Sequence, residues 1–371
     1  MALLCNQASI DAAGRHILEI LIPGHGKNEF RIACVFGPQH GIWGHTQDDM
    51  IEWEGFEDPR TGLRFHSLYG ERREPAPEWL EGVDLVVCDL PDVGSRYYTF
   101  LWTMALCMKA SERAGIVFLV LDRPNPIRGD RVEGTVLDQA YASFVGLHPL
   151  PMRHGMTLGE VARSLQTRFY PNLALEIVPV QGWQRHVGFR ETGLLWAMPS
   201  PNMPSPDTAL VYPGMCLLEG TNLSEGRGTT RPFETFGAPF ADGQEWAVRL
   251  NSLALPGAFF RPVQFQPTFQ KHADAICGGA FLHVHDAASF EPVLTAVAVM
   301  QEALNLFGER FQWKPPPYEY ETEKLPFDIL AGNSWLREAI EDGVELGVIR
   351  ERMATECSEF EPERQSALLY R

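Results

Sequence analysis

The chain lacks the cysteine and histidine spacings that mark disulfide frameworks and metal sites. Its seven cysteines include no C-x-x-C pair, and Cys5, Cys34 and Cys88 fall inside apolar runs. This usage is typical of reduced cysteines buried in a core. No H-E-x-x-H helix occurs, and the histidines show no metal-ligand spacing, so we predict no metal.

Long apolar runs are also missing. No stretch reaches the ~20 apolar residues that span a bilayer, and the first residues, MALLCNQASI, contain no basic segment of the kind that begins an export signal. We therefore expect no membrane association. We expect a cytoplasmic location, or a periplasmic or secreted one if the natural N-terminus has been trimmed.

Positive charge is scarce. The chain has 31 lysines and arginines against 48 aspartates and glutamates, and its net charge is −17. The electric field of so much negative charge repels phosphate backbones, which argues against nucleic acid as a partner. No G-x-G-x-x-G follows the first apolar run and no G-x-S-x-G occurs, so neither a dinucleotide fold nor a serine-hydrolase elbow is supported.

The first half of the chain alternates apolar runs with helix-like segments. Strands are predicted over 2–6, 31–37, 83–90 and 116–126, with a helix over 96–115 that ends at Gly115. This order favours a parallel sheet with crossover helices. The last third changes to short strands and amphipathic helices, including one over 291–308. We place a domain boundary near residue 240, which gives an α/β domain over 1–240 and a smaller α+β domain over 241–371.

Polar side chains follow the predicted strands. They are Asn6, Gln39, His40, Asp92, Arg123 and Asn125. Ligands of open parallel sheets bind beyond the carboxyl ends of the strands, so one site collected from several loops is expected. Two prolines in LDRPNPI (121–127) make either a plain rigid turn or a rigid support for Arg123 and Asn125.

Two segments admit a structural and a functional interpretation. In CDLPDVGSRYYTF (88–100), Asp92 either caps a helix or forms a carboxylate held against Arg96, close to Tyr98. In PMRHGMTLGE (151–160), Arg153 and His154 precede a helix start, where they serve either packing or ligand binding.

The loop-rich segment over 198–240 is the densest in chemistry. Long loops in compact domains are usually functional. Glycines there allow close backbone approach, and arginines offer paired donors for a carboxylate. The candidate ligand-binding side chains of this segment are Asn202, Glu219, Asn222, Ser224, Glu225, Arg227, Arg231 and Glu234.

Several long motifs together resemble a known family, the exo-β-N-acetylmuramidases (NamZ-like), formerly a domain of unknown function. The motifs occur in the family's order over nearly the whole chain: FGPQHGIWG, SLYGERREPAPEWLEGVDLVVCDLPDVGSRYYTF, LDRPNPIRGDRVEG, PMRHGMTLGE, MPSPNMPSPDTALVYPGMCLLEGTNLSEGRGTTRPFE, PTFQKHADAICGG and KPPPYEYE. The resemblance implies a Rossmann-like N-terminal domain, a smaller C-terminal domain that closes a cleft, and no metal or nucleotide cofactor. It also implies release of terminal β-linked N-acetylmuramic acid from peptidoglycan fragments.

One position departs from the family motif, which usually reads Pro-Glu-His-Gly where this chain has Gln39. The family's glutamate is a candidate general acid, whereas an amide has no acidic proton to donate. Either another carboxylate supplies the proton or the activity differs. A hydrolase on another glycoside or an amide, and a carbohydrate-binding protein without catalysis, therefore stay open.

The expected site residues follow from these motifs. Glycoside hydrolysis needs an acid at the leaving oxygen and a second carboxylate, or a substrate group, at the anomeric carbon. Glu225 is the first candidate for a catalytic carboxylate, followed by Asp92 and Glu219, with His40 orienting or relaying protons. Either Arg227 or Arg96 would hold the lactyl carboxylate of muramic acid. The full set expected to bind substrate is Asn6, Gln39, Arg96, Tyr98, Arg123, Asn125, Arg153, His154, Asn202, Asn222, Ser224 and Arg227.

Overall fold

The computed structural model describes residues 1–27, 30–48 and 50–371. In that part of the chain the strands are β1 (Ala2–Cys5), β2 (Cys34–Gly37), β3 (Phe56–Glu57), β4 (Arg64–Ser67), β5 (Leu85–Asp89), β6 (Val117–Leu121), β7 (Glu133–Val136), β8 (Pro151–Arg153), β9 (Leu175–Val178), β10 (Thr235–Ala238), β11 (Ala258–Phe265) and β12 (Cys277–Val284). The helices are α1 (Ile17–Leu21), α2 (Phe100–Ala114), α3 (Leu158–Phe169), α4 (Phe189–Thr192), α5 (Pro206–Met215), α6 (Gly243–Ser252), α7 (Pro292–Phe307), α8 (Pro326–Ala331), α9 (Trp335–Glu341) and α10 (Leu346–Ala367).

The large sheet has seven strands in the order β3-β4-β2-β1-β5-β6-β9. All neighbours pair in parallel except β3 and β4, which are antiparallel. The central strands β1 and β2 are buried at every position, which explains why they read as continuous apolar runs rather than alternating ones. The predicted parallel sheet with crossover helices is confirmed.

Local sequence signals set the ends of the main helices. Gly115 ends α2 in the left-handed conformation, with φ of 67°, and its N–H donates to Glu112 and Ser111 carbonyls. Thr157 opens α3 with a capping box, because its hydroxyl accepts from the N–H of Glu160 while the Glu160 carboxylate accepts from the N–H of Thr157. The crossovers β5–α2–β6 and β6–α3–β9 thereby cover one face of the sheet.

The second sheet is antiparallel, in the order β10-β12-β11. Helix α6 packs against it, and α7 packs against α6. It includes β10, which precedes residue 240. The domain boundary near 240 stays a prediction. One continuous apolar core joins the two sheets, and the fully buried Trp102 of α2 and Trp246 of α6 both belong to it. A smaller core, which includes Leu3 and Val35, lies on the other face of the large sheet.

Candidate active site

A small cavity, here called the polar cavity, lies beyond the carboxyl ends of β2 and β5. Its volume is about 40 Å³. Five chain segments meet there: the loop after β2, the start of α2, the loop that contains Val145, the segment over 198–240, and the segment over 318–319. The polar side chains that line it are Gln39, His40, Tyr97, Tyr98, Thr99, Ser200, Asn202, Tyr212, Glu219, Arg227, Tyr318 and Glu319.

The loop after β2 holds Gln39 and His40 against the cavity. An added Cβ on Gly37 would come within 2.7 Å of the Trp53 ring, so glycine is required where the strand turns into the loop. His40 has a φ of 68°, in the left-handed region. Its Nδ1–H donates to the Thr46 carbonyl at 2.8 Å, which places the ring proton on Nδ1. The hydroxyl of Thr99 donates to Oε1 of Gln39 at 2.6 Å.

Glu219 forms a buried ion pair in the wall of the cavity. Nη2 of Arg227 donates to one carboxylate oxygen at 2.7 Å, and the Tyr318 hydroxyl donates to the other at 2.6 Å. Burial raises the pKa of Tyr318 well above its ordinary value. The Arg227 guanidinium also lies 5.1 Å from the centre of the Phe233 ring. These contacts hold the Glu219 carboxylate in a fixed position.

Glu225 lies beside Arg227 and does not line the polar cavity. Its side chain is 1% exposed. Lys271 donates to Oε2 at 2.9 Å, and Oε1 lies 3.4 Å from Nε of Arg227. Nζ of Lys271 also donates to the carbonyls of Leu218 and Leu223. These contacts hold Glu225 against Arg227, and its catalytic role stays a prediction.

Glu319 is a carboxylate of the cavity that sequence reasoning did not single out. It is 5% exposed, and the hydroxyl of Tyr69 lies 3.0 and 3.2 Å from its two carboxylate oxygens. The only signal for it was the unusual composition of KPPPYEYE, which combines prolines, aromatics and acids. Its place in the wall of the polar cavity depends on a contact with Tyr69, which lies 250 residues away in the chain.

Asp92 and His154 form a buried pair outside the polar cavity. Nε2 of His154 lies 3.1 Å from Oδ2 of Asp92, and the N–H of Met156 donates to Nδ1 of His154. The same Asp92 oxygen accepts from the N–H of Gly94 at 2.8 Å. Asp92 does not cap α2, whose N-cap residue is Thr99. The pair ties the loop after β5 to the loop that precedes α3.

The structure corrects the expectation that Arg96 holds the lactyl carboxylate. Arg96 is 0% exposed, and its guanidinium donates to the carbonyls of Thr135, Leu150 and Leu330. Burial lowers its pKa to about 10. Arg153 is equally buried and donates to a backbone carbonyl. Neither guanidinium lines the polar cavity, because both cross-link backbone inside the core.

Other predicted ligand-binding residues also serve the backbone rather than the cavity. Asn6, Asn125 and Asn222 each donate a side-chain amide N–H to a carbonyl, of Pro199, Met156 and Arg310 respectively. The hydroxyl of Ser224 accepts from the N–H of Gly226. Among the predicted residues, the structure brings together Gln39, His40, Tyr98, Asn202, Glu219 and Arg227. Asp92, Asn125 and Glu225 do not share a cavity with one another.

A larger hollow, here called the apolar groove, runs along the other face of the large sheet. Its volume is about 730 Å³, and Val87, Leu119 and Leu121 are among the residues that line it. Arg123 lies at its polar end in an ion pair with Asp89, at 2.6 Å. Most of the residues that line it are apolar, and the four aspartates among them are Asp11, Asp89, Asp92 and Asp122. We assign the chemistry to the polar cavity because hydrogen-bonding side chains prevail there.

Within residues 1–27, 30–48 and 50–371, no group of three or more histidine, cysteine, aspartate or glutamate side chains is placed to hold a metal ion. None of the helices described there combines the length and the apolar character needed to cross a bilayer. All seven cysteines are unpaired, and six of them are buried.

The large sheet is mostly parallel, and two carboxylates line one cavity at its strand ends. This arrangement is typical of a glycosidase. Comparison with known proteins agrees. The family model for the N-terminal part of the exo-beta-N-acetylmuramidase NamZ matches residues 1–207, and the model for its C-terminal part matches residues 210–370. The chain belongs to the NamZ family of exo-beta-N-acetylmuramidases.

Individual relatives support the assignment. The chain is 40% identical over 370 residues to the peptidoglycan beta-N-acetylmuramidase NamZ of Bacillus subtilis (strain 168), and the match covers 100% of this chain and 86% of that protein. Two crystal structures of DUF1343 family proteins from Bacteroides fragilis NCTC 9343 share the fold. The first has a TM-score of 0.86 at 30% sequence identity, and the match covers 100% of this chain and 94% of the other chain. The other has a TM-score of 0.77 at 27% identity and covers 100% and 93%.

Proposed function

We propose that this protein is a glycosidase that releases terminal β-linked N-acetylmuramic acid from peptidoglycan fragments. Family membership over the whole chain supports the reaction class. The observation that carries the proposal is the polar cavity, where the carboxylates of Glu219 and Glu319 face one space together with amide and hydroxyl side chains. Most glycosidases use such a pair of carboxyl groups.

In this proposal Glu219 acts as the charge-stabilising carboxylate. The ion pair with Arg227 and the hydrogen bond from Tyr318 fix its orientation. A fixed negative charge stabilises the positive charge that develops on the sugar ring, or it orients the N-acetyl group of the substrate for attack on the anomeric carbon. The charge is useful because it is already in place before the bond breaks.

Gln39 acts as a ligand-orienting residue. Because Thr99 donates to Oε1, the Nε2 group is the donor that Gln39 presents to a sugar oxygen. Arg227 is the arginine of the cavity wall, and a guanidinium matches the two oxygens of a carboxylate. We therefore retain Arg227, and not Arg96, as the residue proposed to hold the lactyl carboxylate.

Substrate entry requires a conformational step. The cavity volume of about 40 Å³ has room for about three waters, at roughly 10–15 Å³ each. A hexosamine acid is much larger, so the segment that carries Tyr318 and Glu319 must move outward to admit it. Contacts to Tyr69, and from Tyr320 to Glu52 at 3.0 Å, hold that segment closed. Such closing segments exclude water from the reaction.

A panel of aryl β-glycosides tests the proposal. We expect release of the chromophore from the β-N-acetylmuramide and much slower release from the β-N-acetylglucosaminide, which lacks the lactyl group. Glu219→Gln should lower turnover by at least 10²-fold, as loss of a charge-stabilising group does. The matched control is Glu245→Gln on the exposed side of α6, which should keep wild-type turnover.

Gln39 favours one rival function, binding without catalysis. Tight binding of N-acetylmuramic acid with no release from any aryl glycoside would establish that rival and contradict the proposal. Release from a different glycoside alone would assign another substrate. The cytoplasmic location also stays a prediction, which fractionation of cells that produce the natural protein would check.

A further inference from the structure

We propose that Asn202 and Tyr98 form a pocket for the 2-acetamido group of the sugar, so that this enzyme selects 2-acetamido sugars over 2-hydroxy sugars. The inference rests on the proposed function and names the part of the substrate that enters the polar cavity. It starts from two buried polar atoms, Oδ1 of Asn202 and the hydroxyl oxygen of Tyr98, to which no residue in the described part of the chain gives a hydrogen bond. Both residues line the polar cavity.

Asn202 presents an acceptor in a fixed position. The residue is 3% exposed and lies in the loop that precedes α5. Its Nδ2 donates to the carbonyl of Gln47 at 2.7 Å. A half turn of the amide would place Oδ1 against that carbonyl oxygen, so the bond to Gln47 determines which atom of the amide is left over. Buried polar atoms in proteins have partners, and an N–H group of a ligand would satisfy this one.

Tyr98 presents a hydroxyl group on a ring that is held by packing. The centre of the ring lies 4.7 Å from that of Phe100 and 5.9 Å from that of Tyr212, which it meets edge to face. Burial raises the pKa of Tyr98 well above its ordinary value, and the neighbouring Ser200 hydroxyl lowers it by less. The phenol therefore keeps its proton and donates it to an acceptor on a ligand.

Apolar side chains complete the pocket. The residues that line the polar cavity also include Phe100, Val145, Met203 and Phe233. An acetamido group combines an N–H donor, a carbonyl acceptor and a methyl group, and the cavity offers an acceptor, a donor and an apolar wall. A hydroxyl group on the same ring carbon has no methyl group and cannot satisfy both polar atoms. Sites with buried polar groups reject analogues that leave those groups unpaired.

The size of the cavity suits a substituent rather than a whole sugar ring. Its volume of about 40 Å³ has room for about three waters. An acetamido group is of similar bulk, whereas a pyranose ring is much larger. In this arrangement the acetamido group fills the space that exists in the closed structure. The ring occupies the space that opens when the segment with Tyr318 and Glu319 moves outward.

Binding of two sugars that differ only at one carbon tests the pocket. The ligands are N-acetylmuramic acid and 3-O-lactyl glucose, which has a hydroxyl group in place of the acetamido group. Measured by calorimetry, with displacement titration for the weaker ligand, wild type should prefer N-acetylmuramic acid by roughly 10²-fold or more. Tyr98→Phe and Asn202→Ala should each weaken binding of N-acetylmuramic acid by about 3- to 10-fold, as loss of one hydrogen bond does. Binding of the 2-hydroxy sugar should stay within about twofold.

The Tyr98→Phe variant keeps the test independent of folding. It removes one oxygen and keeps the ring, and that oxygen is bonded to none of the residues that the structure describes. We therefore expect it to unfold at the wild-type urea concentration or above. A clear loss of stability would show that the hydroxyl is bonded within the fold and would contradict the inference. The matched control is Tyr141→Phe, outside the lining of the polar cavity, which should bind both sugars as wild type does.

The ratio of the two affinities decides the outcome. Equal affinity of wild type for both sugars, or an unchanged ratio in either variant, would overturn the assignment. Failure of the proposed function is a different result, because wild-type protein would then release no chromophore from an aryl β-N-acetylmuramide. An enzyme that releases the chromophore but keeps its preference for the acetamido sugar in Tyr98→Phe and Asn202→Ala would refute the pocket alone.

Discussion

Replacement of Glu225 by glutamine separates a catalytic from a supporting role. The Glu225 side chain is 1% exposed and accepts from Lys271 at 2.9 Å. Breaking a buried ion pair from one side costs about 3–5 kcal/mol. Lys271 keeps two carbonyl acceptors, at 2.8 and 2.9 Å, and its side chain is 15% exposed. The lower end of this energy range therefore applies. We expect Glu225→Gln to lower the free energy of unfolding by about 3 kcal/mol.

The assay combines urea unfolding with turnover per folded molecule. The expected loss lowers the ratio of folded to unfolded chains by about 10²-fold, since 1.4 kcal/mol is a factor of ten. Turnover of the folded fraction should stay within about threefold of wild type, because Glu225 does not line the polar cavity. The double variant Glu225→Gln with Lys271→Met should recover about 2 kcal/mol of the loss, since it removes both buried charges.

The opposite result would refute this reasoning. If Glu225→Gln unfolds at the wild-type urea concentration while turnover of the folded protein falls by 10³-fold, Glu225 acts on the substrate. The polar cavity would then have to extend beyond Arg227 to reach Glu225, and the first catalytic candidate from the sequence would be correct.

Three further outcomes are expected. Gln39→Glu should raise turnover of an alkyl muramide at least tenfold, because Thr99 would hold the new acid where the amide is held now; no gain would show that position 39 does not face the leaving oxygen. Burial raises the pKa of Glu133 to about 7. Between about pH 4.5 and pH 7 the folded protein therefore keeps a proton that the unfolded chain releases, and the free energy of unfolding falls as the pH rises through this range. The Glu133→Gln side chain cannot ionise. Between pH 5 and pH 8 the free energy of unfolding of this variant, measured in urea, should therefore rise by about 1–2 kcal/mol relative to wild type, after allowance for partial exposure of the side chain. A difference between the two proteins that does not change with pH would contradict the raised pKa. Gly214→Ala should lower the free energy of unfolding by about 3 kcal/mol or more, since its Cβ would lie 1.8 Å from the Pro292 carbonyl oxygen. Gly347→Ala, on α10, should leave the free energy of unfolding within about 1 kcal/mol of wild type.

The sheet was predictable where a strand carries its own signal. β1, β2, β5 and β6 lie inside the predicted ranges, which extend beyond them at one or both ends, because central parallel strands are apolar on both faces. The flanking strands β4 and β9 were not predicted. They are four residues long and partly exposed, so their sequences show no continuous apolar run.

The site was predictable to the level of loops but not of side chains. Gln39, His40, Glu219 and Arg227 do meet at one cavity, as strand-end loops of a parallel sheet should. Arg96 also lies in a strand-end segment, but its guanidinium donates to backbone carbonyls, including one 234 residues away. The sequence does not distinguish an arginine that is buried in the core from an arginine that lines a cavity.

By itself, the sequence determined the local periodicities, the helix ends and the family motifs, because these depend on residues a few positions apart. Only the tertiary structure decided which carboxylates face the cavity. That choice depends on contacts such as Tyr69 with Glu319, which join residues 250 apart. Burial and hydrogen bonding determine whether an acid acts on a ligand or supports the protein, and both arise only when distant segments pack together.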